Sequence, residues 1–432
     1  MNIRSHELVN FFRAKYNAIK SIYMYFVRFL FTILDIGLRR NFLRLIYEFD
    51  RLFFRSFGYI YSYLFDLFNI NPSLWDENKM SFLSLEKDFG SIPISSIPNA
   101  IKFKFLNISR NLFLPIIWND SSYTRLWQFN LHYFDWARAW IDDSISFNGW
   151  IKEFSFIPIL IDQWIDNNPV GIGDGWHSYT LSLRIRNWIW CFRCAPSLVN
   201  DKRIHSLWTQ ICWLNTHLEE CYGGNHYLEN LITLALASSQ FKCKKSLAIH
   251  FRALKLLKKE LEMQILSDGS HEERSASYHV LLLDRLIDLA IVIESSNKYR
   301  PDWLSDYIFL MFGFSNLIVL YGNKLPRFND SASSICSSVS DVNRYANAYL
   351  ASKKLPLKNM RSNLSRFYNE GFNSLKTKAY NVNQFKTSKE LLDFPETGWT
   401  IIRPGNNWEL IFKSGKGCPE HLPPHVHSDL LS

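Results

Sequence analysis

From Ser5 to about Tyr380, apolar residues recur at intervals of three and four, the spacing that lines up one face of an α-helix. Short breaks such as Asn71-Pro72, Gly223-Gly224 and Asp268-Gly269 divide the run, and Gly or Pro at such places ends one helix before the next begins. The pattern predicts an all-α body. Several segments are apolar around most of their circumference, so one layer of helices is expected to pack inside another. No fixed-period repeat is visible, which argues against a solenoid.

After Glu390 the period changes. Gly398 to Arg403 and Trp408 to Lys413 flank Pro404-Gly405-Asn406-Asn407, a pattern that predicts two strands joined as a hairpin. The helical domain is therefore drawn over residues 1–385 and the start of an antiparallel β-domain over 386–432. Two or three strands rarely stand alone, so these are expected either to dock on the helical body or to belong to something longer. Left uncovered, their apolar faces and edges would be exposed.

Composition narrows the partner. The 432 residues are 47% hydrophobic, enough to bury a large core. Aromatic residues make up 16%, which suits either thick aromatic packing or platforms for stacking sugars. A formal charge of +9 favours an acidic partner: nucleic acid, anionic lipid or an acidic polysaccharide. No run of five Lys or Arg and no nucleic-acid-binding signature appears, which sets nucleic acid aside. The seven cysteines, Cys191, Cys194, Cys212, Cys221, Cys243, Cys336 and Cys418, lack paired metal spacing and read as buried thiols. Near the N-terminus the apolar stretch from Ile22 to Leu38 is interrupted by Arg28 and Asp35. It reads as neither signal peptide nor transmembrane segment. It is expected to face the core, with a helix lying on a membrane surface as the alternative. Compartment, cytoplasmic or periplasmic, and oligomeric state stay open.

Four segments carry candidate chemistry. In Trp176 to Trp188, Arg184, Asn187 and Trp188 share a helix face by spacing, offering a cation, an amide and a flat surface to an acidic sugar, or else an ordinary interhelical contact. In Gly223 to Asn230, Asn225 reads as an N-cap; with His226 and the free N–H groups of the helix start it would form a carboxylate site. In Asp268 to His279, Ser270 and Glu273 fit a capping box and Ser275 fits a cap for the next helix. That helix carries Tyr278 in its first turn, as a core tyrosine or as a proton donor or acceptor at a cleft. In Pro423 to Asp429, extended geometry points His425, His427 and Asp429 to one side, as a metal or catalytic group.

Together these suit β-elimination from a uronate polymer. A lyase must neutralise the carboxylate beside the C5 proton, remove that proton and protonate the departing oxygen. Asn225 and His226 are suited to the first task, Tyr278 and His425 to the proton transfers. A hydrolase would need two carboxylates across the bond, for which Asp174, Glu229, Glu272 and Asp330 are the candidates.

The order of these segments resembles the heparinase II/III-like polysaccharide lyases. The likeness spans Trp127 to Ser432 and rests on Trp127-Gln128-Phe129-Asn130-Leu131-His132-Tyr133, Leu181 to Trp188, Gly224-Asn225-His226, Asp268-Gly269-Ser270 through Tyr278-His279, Pro326 to Ser331, and His425-Val426-His427-Ser428-Asp429. The resemblance implies a mainly α fold: an incomplete α/α toroid followed by the first strands of an antiparallel β-sandwich. It implies that Asn225 and His226 hold the uronate carboxylate, that Tyr278 is the catalytic acid or base and that His425 assists at the reacting carbon. The matching segments nominate Trp127, Asn130, His132, Tyr133, Arg184, Asn187, Trp188, Glu273 and Arg274 as contacts to an acidic polysaccharide. His427 resembles the family's zinc ligand, whose companions come from later strands; one His, even with Asp429, cannot build the site zinc favours. Zinc is thus expected in a longer form and weakly or not at all here. A second tyrosine used by some members has no counterpart. Two other readings stand beside the lyase: a glycan-binding or scaffolding protein without turnover, and a helical-toroid hydrolase.

Overall fold

The computed structural model describes residues 100–146, 155–220, 223–296, 299–332, 335–351, 390–404 and 408–414, with isolated positions between 42 and 65. The apolar stretch from Ile22 to Leu38, the 385/386 boundary, and His425, His427 and Asp429 lie outside the described residues. Where an unbroken helical pattern is expected, residues 100–113 instead form a hairpin. Strands β1 (Ala100–Phe105) and β2 (Ile108–Phe113) pair antiparallel from Ala100 opposite Phe113 to Phe105 opposite Ile108. Leu106 and Asn107 both take positive φ, 52° and 63°, the turn whose twist suits a two-residue connection. Alternation in Ile101-Lys102-Phe103-Lys104-Phe105 turns Ile101 and Phe103 inward, buried beneath the hairpin.

Ten helices follow among the described residues: α1 (Arg125–Tyr133), α2 (Asp135–Ser146), α3 (Ile157–Asn167), α4 (Ser178–Cys194), α5 (Asp201–Thr216), α6 (Gly224–Ser238), α7 (Lys244–Gln264), α8 (Ala276–Ser295), α9 (Asp302–Leu317) and α10 (Val339–Leu350). They form two layers. Helices α4, α6, α8 and α10 pack side by side within, while α5, α7 and α9 alternate with them outside. The inner helices are buried nearly all round: from Thr180 to Cys194 every residue of α4 is buried, and from Tyr227 to Ser238 every residue of α6. This is the arrangement the circumferentially apolar segments predict. The outer α7 keeps one apolar face, through Ile249, Ala253, Leu257 and Leu261, and exposes the lysines opposite. Cys191, Cys194 and Cys212 are buried and outside any disulfide, Cys243 and Cys336 are only half-buried, against the expectation of buried thiols, and Cys221 and Cys418 lie outside the described residues. No helix among the described residues is long and apolar enough to cross a membrane.

Inner helices that are buried on all sides must pair whatever charge they carry. Arg186 of α4 donates to Glu229 of α6 (2.8 Å) and to Asp288 of α8 (3.0 Å). Arg285 of α8 donates to the second oxygen of Glu229 (3.3 Å), and Tyr345 of α10 donates to Asp288 (3.1 Å). One network thereby joins all four inner helices. Beside it lies Asp284, 3.8 Å from Arg285 through Oδ2, whose Oδ1 is buried without a hydrogen-bond partner among the described residues. Burial, and then the neighbouring Asp288 charge, push its carboxyl above the ordinary range.

The C-terminal strands form a second, smaller core against the body. The structure adds a strand to the two expected: β3 (Leu391–Phe394), β4 (Trp399–Ile402) and β5 (Leu410–Lys413) make an antiparallel sheet in that order. Its inner face, Leu392, Phe394, Trp399 and Ile401, is buried with Phe314, Ile318 and Phe328 of the helical body. Polar contacts lock it there. Thr397 donates through N and Oγ1 to Asp268 Oδ2 (2.8 and 2.7 Å), and Arg403 Nη2 donates to the carbonyls of Leu317 and Val319 (both 2.9 Å). The expectation of poor coverage is therefore corrected for one face, while Leu391, Leu410 and Phe412 on the other are exposed.

Trp399→Ala removes a side chain that is 1% exposed and should cost about 3–5 kcal/mol in urea denaturation; an unchanged midpoint would contradict the docking. A carboxyl whose pKa is raised on folding keeps its proton in the native state where the unfolded chain has lost it, so its contribution falls as pH rises above the ordinary carboxylate range. Asp284→Asn should therefore lose about 1 kcal/mol less than wild type between roughly pH 5 and pH 7. Parallel pH curves would contradict it.

Candidate active site

The inner helices α4, α6 and α8 begin at one rim, and their first turns supply the site. Tyr179, Asn225 and Tyr278 are the second, second and third residues of these helices, and all line one small hollow of about 20 Å³. Glu229 and Arg285, one and two turns further in, form its floor. The charge network described above thus ends at the hollow. Ser275 caps α8 as expected, accepting from the Tyr278 N–H (3.4 Å). Ser277 N–H donates to Ser331 Oγ (3.2 Å) and Asn329 Nδ2 to the Glu273 carbonyl (2.8 Å), so the segment from Pro326 to Ser331 supports the turn that carries Tyr278. Burial, with the charges of Glu273 and Asp330, pushes the Tyr278 phenol up to about 12. The phenol is therefore protonated at ordinary pH.

His226 stands beside the hollow with its ring stacked on Tyr179, centroids 4.1 Å apart and planes 21° apart. Its side chain is 45% exposed, and its Nδ1 lies 3.3 Å from Glu219 Oε1. Burial works against charging the ring, but the Glu219 hydrogen bond and charge, with Glu273 and Glu229, outweigh it and hold the imidazole above its ordinary value. Burial likewise works against Glu219, and the hydrogen bond and charge of His226 still keep that carboxyl below its ordinary value. Both directions describe one ion pair.

Sequence reading missed Glu219, Tyr179 and Arg285. Tyr179 lies in a segment singled out, but the face chosen there was another one. Glu219 belongs to the turn before α6 and carries no local pattern; only the folded turn places it under His226.

Several expected contacts turn out to be structural. Arg184 is fully buried, donates to Gln210 Oε1 (2.9 Å) and the Gly175 carbonyl (2.6 Å), and lies 3.8 Å over the Trp164 ring. Asn187 donates to the Tyr133 carbonyl (2.8 Å) and to Asp135 (2.7 Å), and Trp188 is fully buried among Phe134 and Trp164. This face of α4 meets the neighbouring helices and presents nothing to a sugar. His132 is buried: its Nδ1 accepts from Trp164 Nε1 (2.9 Å) and its Nε2 faces Asn119 Oδ1 (3.2 Å). A Cβ on Gly175 would sit 2.8 Å from that ring, so only glycine fits there. Trp127 is buried under the hairpin and donates to the Ile108 carbonyl (3.3 Å). Asn130 is half-buried and bonds back to Leu126 O (2.8 Å). Tyr133 is nearer the site, half-buried with its ring edge toward Tyr179 at 6.3 Å.

The helix-start reading also changes. Gly223, at φ 66°, is the N-cap of α6, not Asn225. The Asn225 N–H is taken by Glu273 Oε1 (3.2 Å), so the protein's own carboxylate occupies part of the place reserved for a substrate's. Ser270 and Glu273 form no capping box; Ser270 Oγ donates to Asp268 (2.7 Å) in the latch that holds the sheet. Arg274, at φ 50°, reaches the Glu396 carbonyl (3.1 Å). Among the described residues no group of three or more His, Cys, Asp or Glu could hold a metal ion, and His427 lies outside them.

Residues 118–356 match the family described as heparinase II/III N-terminus. No curated protein gives a sequence match. Among solved structures, the chain is similar to a crystal structure of heparinase III, with a TM-score of 0.51 and 18% identity over 70% of this chain and 47% of that one. Heparan sulfate lyase HepC from Pedobacter heparinus superposes with a TM-score of 0.47 and 17% identity over 74% of this chain and 50% of that one. The chain spans about half the length of these structures. The likeness to heparinase III is one of fold, the α/α toroid.

Burial holds His132 and His279 down to about 3, whereas His226 is raised. In an NMR titration His132 and His279 should stay neutral to below about pH 4, while His226 titrates above the ordinary imidazole value of about 6.5. Titration of either buried ring near neutrality would contradict this packing.

Proposed function

The chain belongs, over residues 118–356, to the heparinase II/III N-terminal family, and from that premise we propose that it cleaves an acidic, uronate-containing glycan by β-elimination. The observation that carries the reading is the meeting of Asn225 and Tyr278 in one hollow, with His226 stacked on its Tyr179 wall. In this account the His226 imidazolium and the Asn225 amide neutralise the uronate carboxylate, which makes the C5 proton easier to remove. That proton goes to a base, for which the family resemblance nominates His425, outside the described residues; the C5–H electrons become the C4=C5 double bond, and the C4–O bond breaks. Tyr278, protonated at ordinary pH, gives its proton to the departing oxygen.

Charge distribution favours elimination over hydrolysis. The carboxylate on the floor, Glu229, is held as an anion: burial opposes its charge, but Arg186 and Arg285 outweigh it and keep its pKa low. A glycosidase acid needs the opposite, a carboxyl raised above its usual range. Asp174, another hydrolase candidate, pairs with Arg125 (2.9 Å). Heparan sulfate is the first polymer to try, because it supplies both uronate and further negative charge to a chain of net charge +9.

Incubation with heparan sulfate should produce the ultraviolet absorbance of an unsaturated uronate, and Tyr278→Phe should lower kcat about 10²–10⁴-fold. Product without a double bond would mean hydrolysis. Binding without product, indifferent to Tyr278→Phe, would mean a glycan-binding protein.

A further inference from the structure

Glu219 is a buried carboxylate for which the assigned chemistry has no task. It sits in the turn between α5 and α6, its side chain 3% exposed. Two backbone bonds fix it: its own N–H donates to Asn230 Oδ1 (2.9 Å), and its carbonyl accepts from Gly223 N–H (3.1 Å). Oε1 lies 3.3 Å from His226 Nδ1 and 3.9 Å from His177 Nε2. Oε2 and His177 Nδ1 are both buried without a hydrogen-bond partner among the described residues. A carboxylate serving only to fasten the turn would be expected to have both oxygens bonded, since each unmet buried polar atom is costly. Here the carboxylate is turned toward two imidazoles instead.

The consequences fall on His226. Tyr179 fixes the plane of its ring from one face, and Glu219 takes Nδ1, leaving Nε2 as the nitrogen available to a ligand. We propose that Glu219 is a positioning residue that holds His226 as an oriented imidazolium, with Nε2–H presented to the carboxylate of the bound glycan. The other groups facing His226 are the carboxylates of Glu273 and Glu229 and the ring of His177. Glu273 is engaged by the Asn225 N–H and Glu229 by two arginines; Glu219 is the one hydrogen-bonded to the ring. This deepens the lyase reading and rests on it for the identity of the ligand.

The test is Glu219→Gln, which keeps size and an acceptor but removes the charge, with Glu219→Asp as the variant that restores it. In NMR titrations the His226 pKa should fall by about one unit in Glu219→Gln, which is a tenfold loss of imidazolium at alkaline pH, and should recover in Glu219→Asp. The alkaline limb of kcat/KM on heparan sulfate should move down by the same interval, with the rate regained on acidification. An unchanged His226 titration in Glu219→Gln would overturn the proposal whatever the activity. Should that variant fail to fold, the wild-type titration decides: a His226 pKa at or below that of free imidazole would equally overturn it. A shifted His226 with no unsaturated product from either protein at any pH would sink the lyase reading and leave the role of Glu219 standing.

Discussion

Glu229 accepts hydrogen bonds from Arg186 of one helix and Arg285 of another, and the arrangement of the rest depends on that shared ion pair. Helices buried on all sides have no amphipathic stripe to set their rotation or height. Apolar packing alone tolerates slippage between such surfaces, whereas a buried guanidinium and carboxylate tolerate almost none, because breaking the pair strands a charge at a cost of about 3–5 kcal/mol. By linking α4, α6 and α8, and through Asp288 and Tyr345 also α10, the network fixes their mutual register. Tyr179, Asn225 and Tyr278, all within the first turn of their helices, then meet at one rim.

Much of this was legible in the chain. The three- and four-residue spacing gave the helices, their circumferential apolarity gave the two layers, and the switch to period two after Glu390 gave β4 and β5. Asn225, His226 and Tyr278 stood out because turn residues precede each of them. What was not legible has a common cause. On a helix buried all round, spacing cannot say which face meets a ligand, so Arg184, Asn187 and Trp188 were preferred over Tyr179 on the same helix. The hairpin at β1 and β2 was hidden because its turn, Leu106-Asn107, lacks the usual Asn-Gly signal, although the alternation from Ile101 to Phe105 was there to read. Glu219 acts across a turn on a residue seven positions later, and no periodic pattern reports such a pairing.

The site is assembled from charges that are already spoken for. Glu273 occupies the Asn225 N–H, and Glu229 is saturated by arginines. That leaves, among the described residues at the hollow, the exposed part of His226, the Asn225 side chain and the Tyr278 phenol as the groups that, on the proposed lyase reading, would meet a ligand's carboxylate and leaving oxygen. The sheet is tied to the same region, since the Asp268–Thr397 latch lies in the loop that leads through Glu273 to Tyr278. Packing of β3, β4 and β5 on the helical body and placement of the phenol are therefore mechanically linked.

The most direct measurement of the central claim, that these side chains form one ligand site, is a double-mutant cycle on heparan sulfate oligosaccharide binding with Asn225→Ala and Tyr278→Phe, read by calorimetry. Residues that share a ligand should couple by about 0.5–3 kcal/mol. Strictly additive losses, or no loss in either variant, would contradict the account.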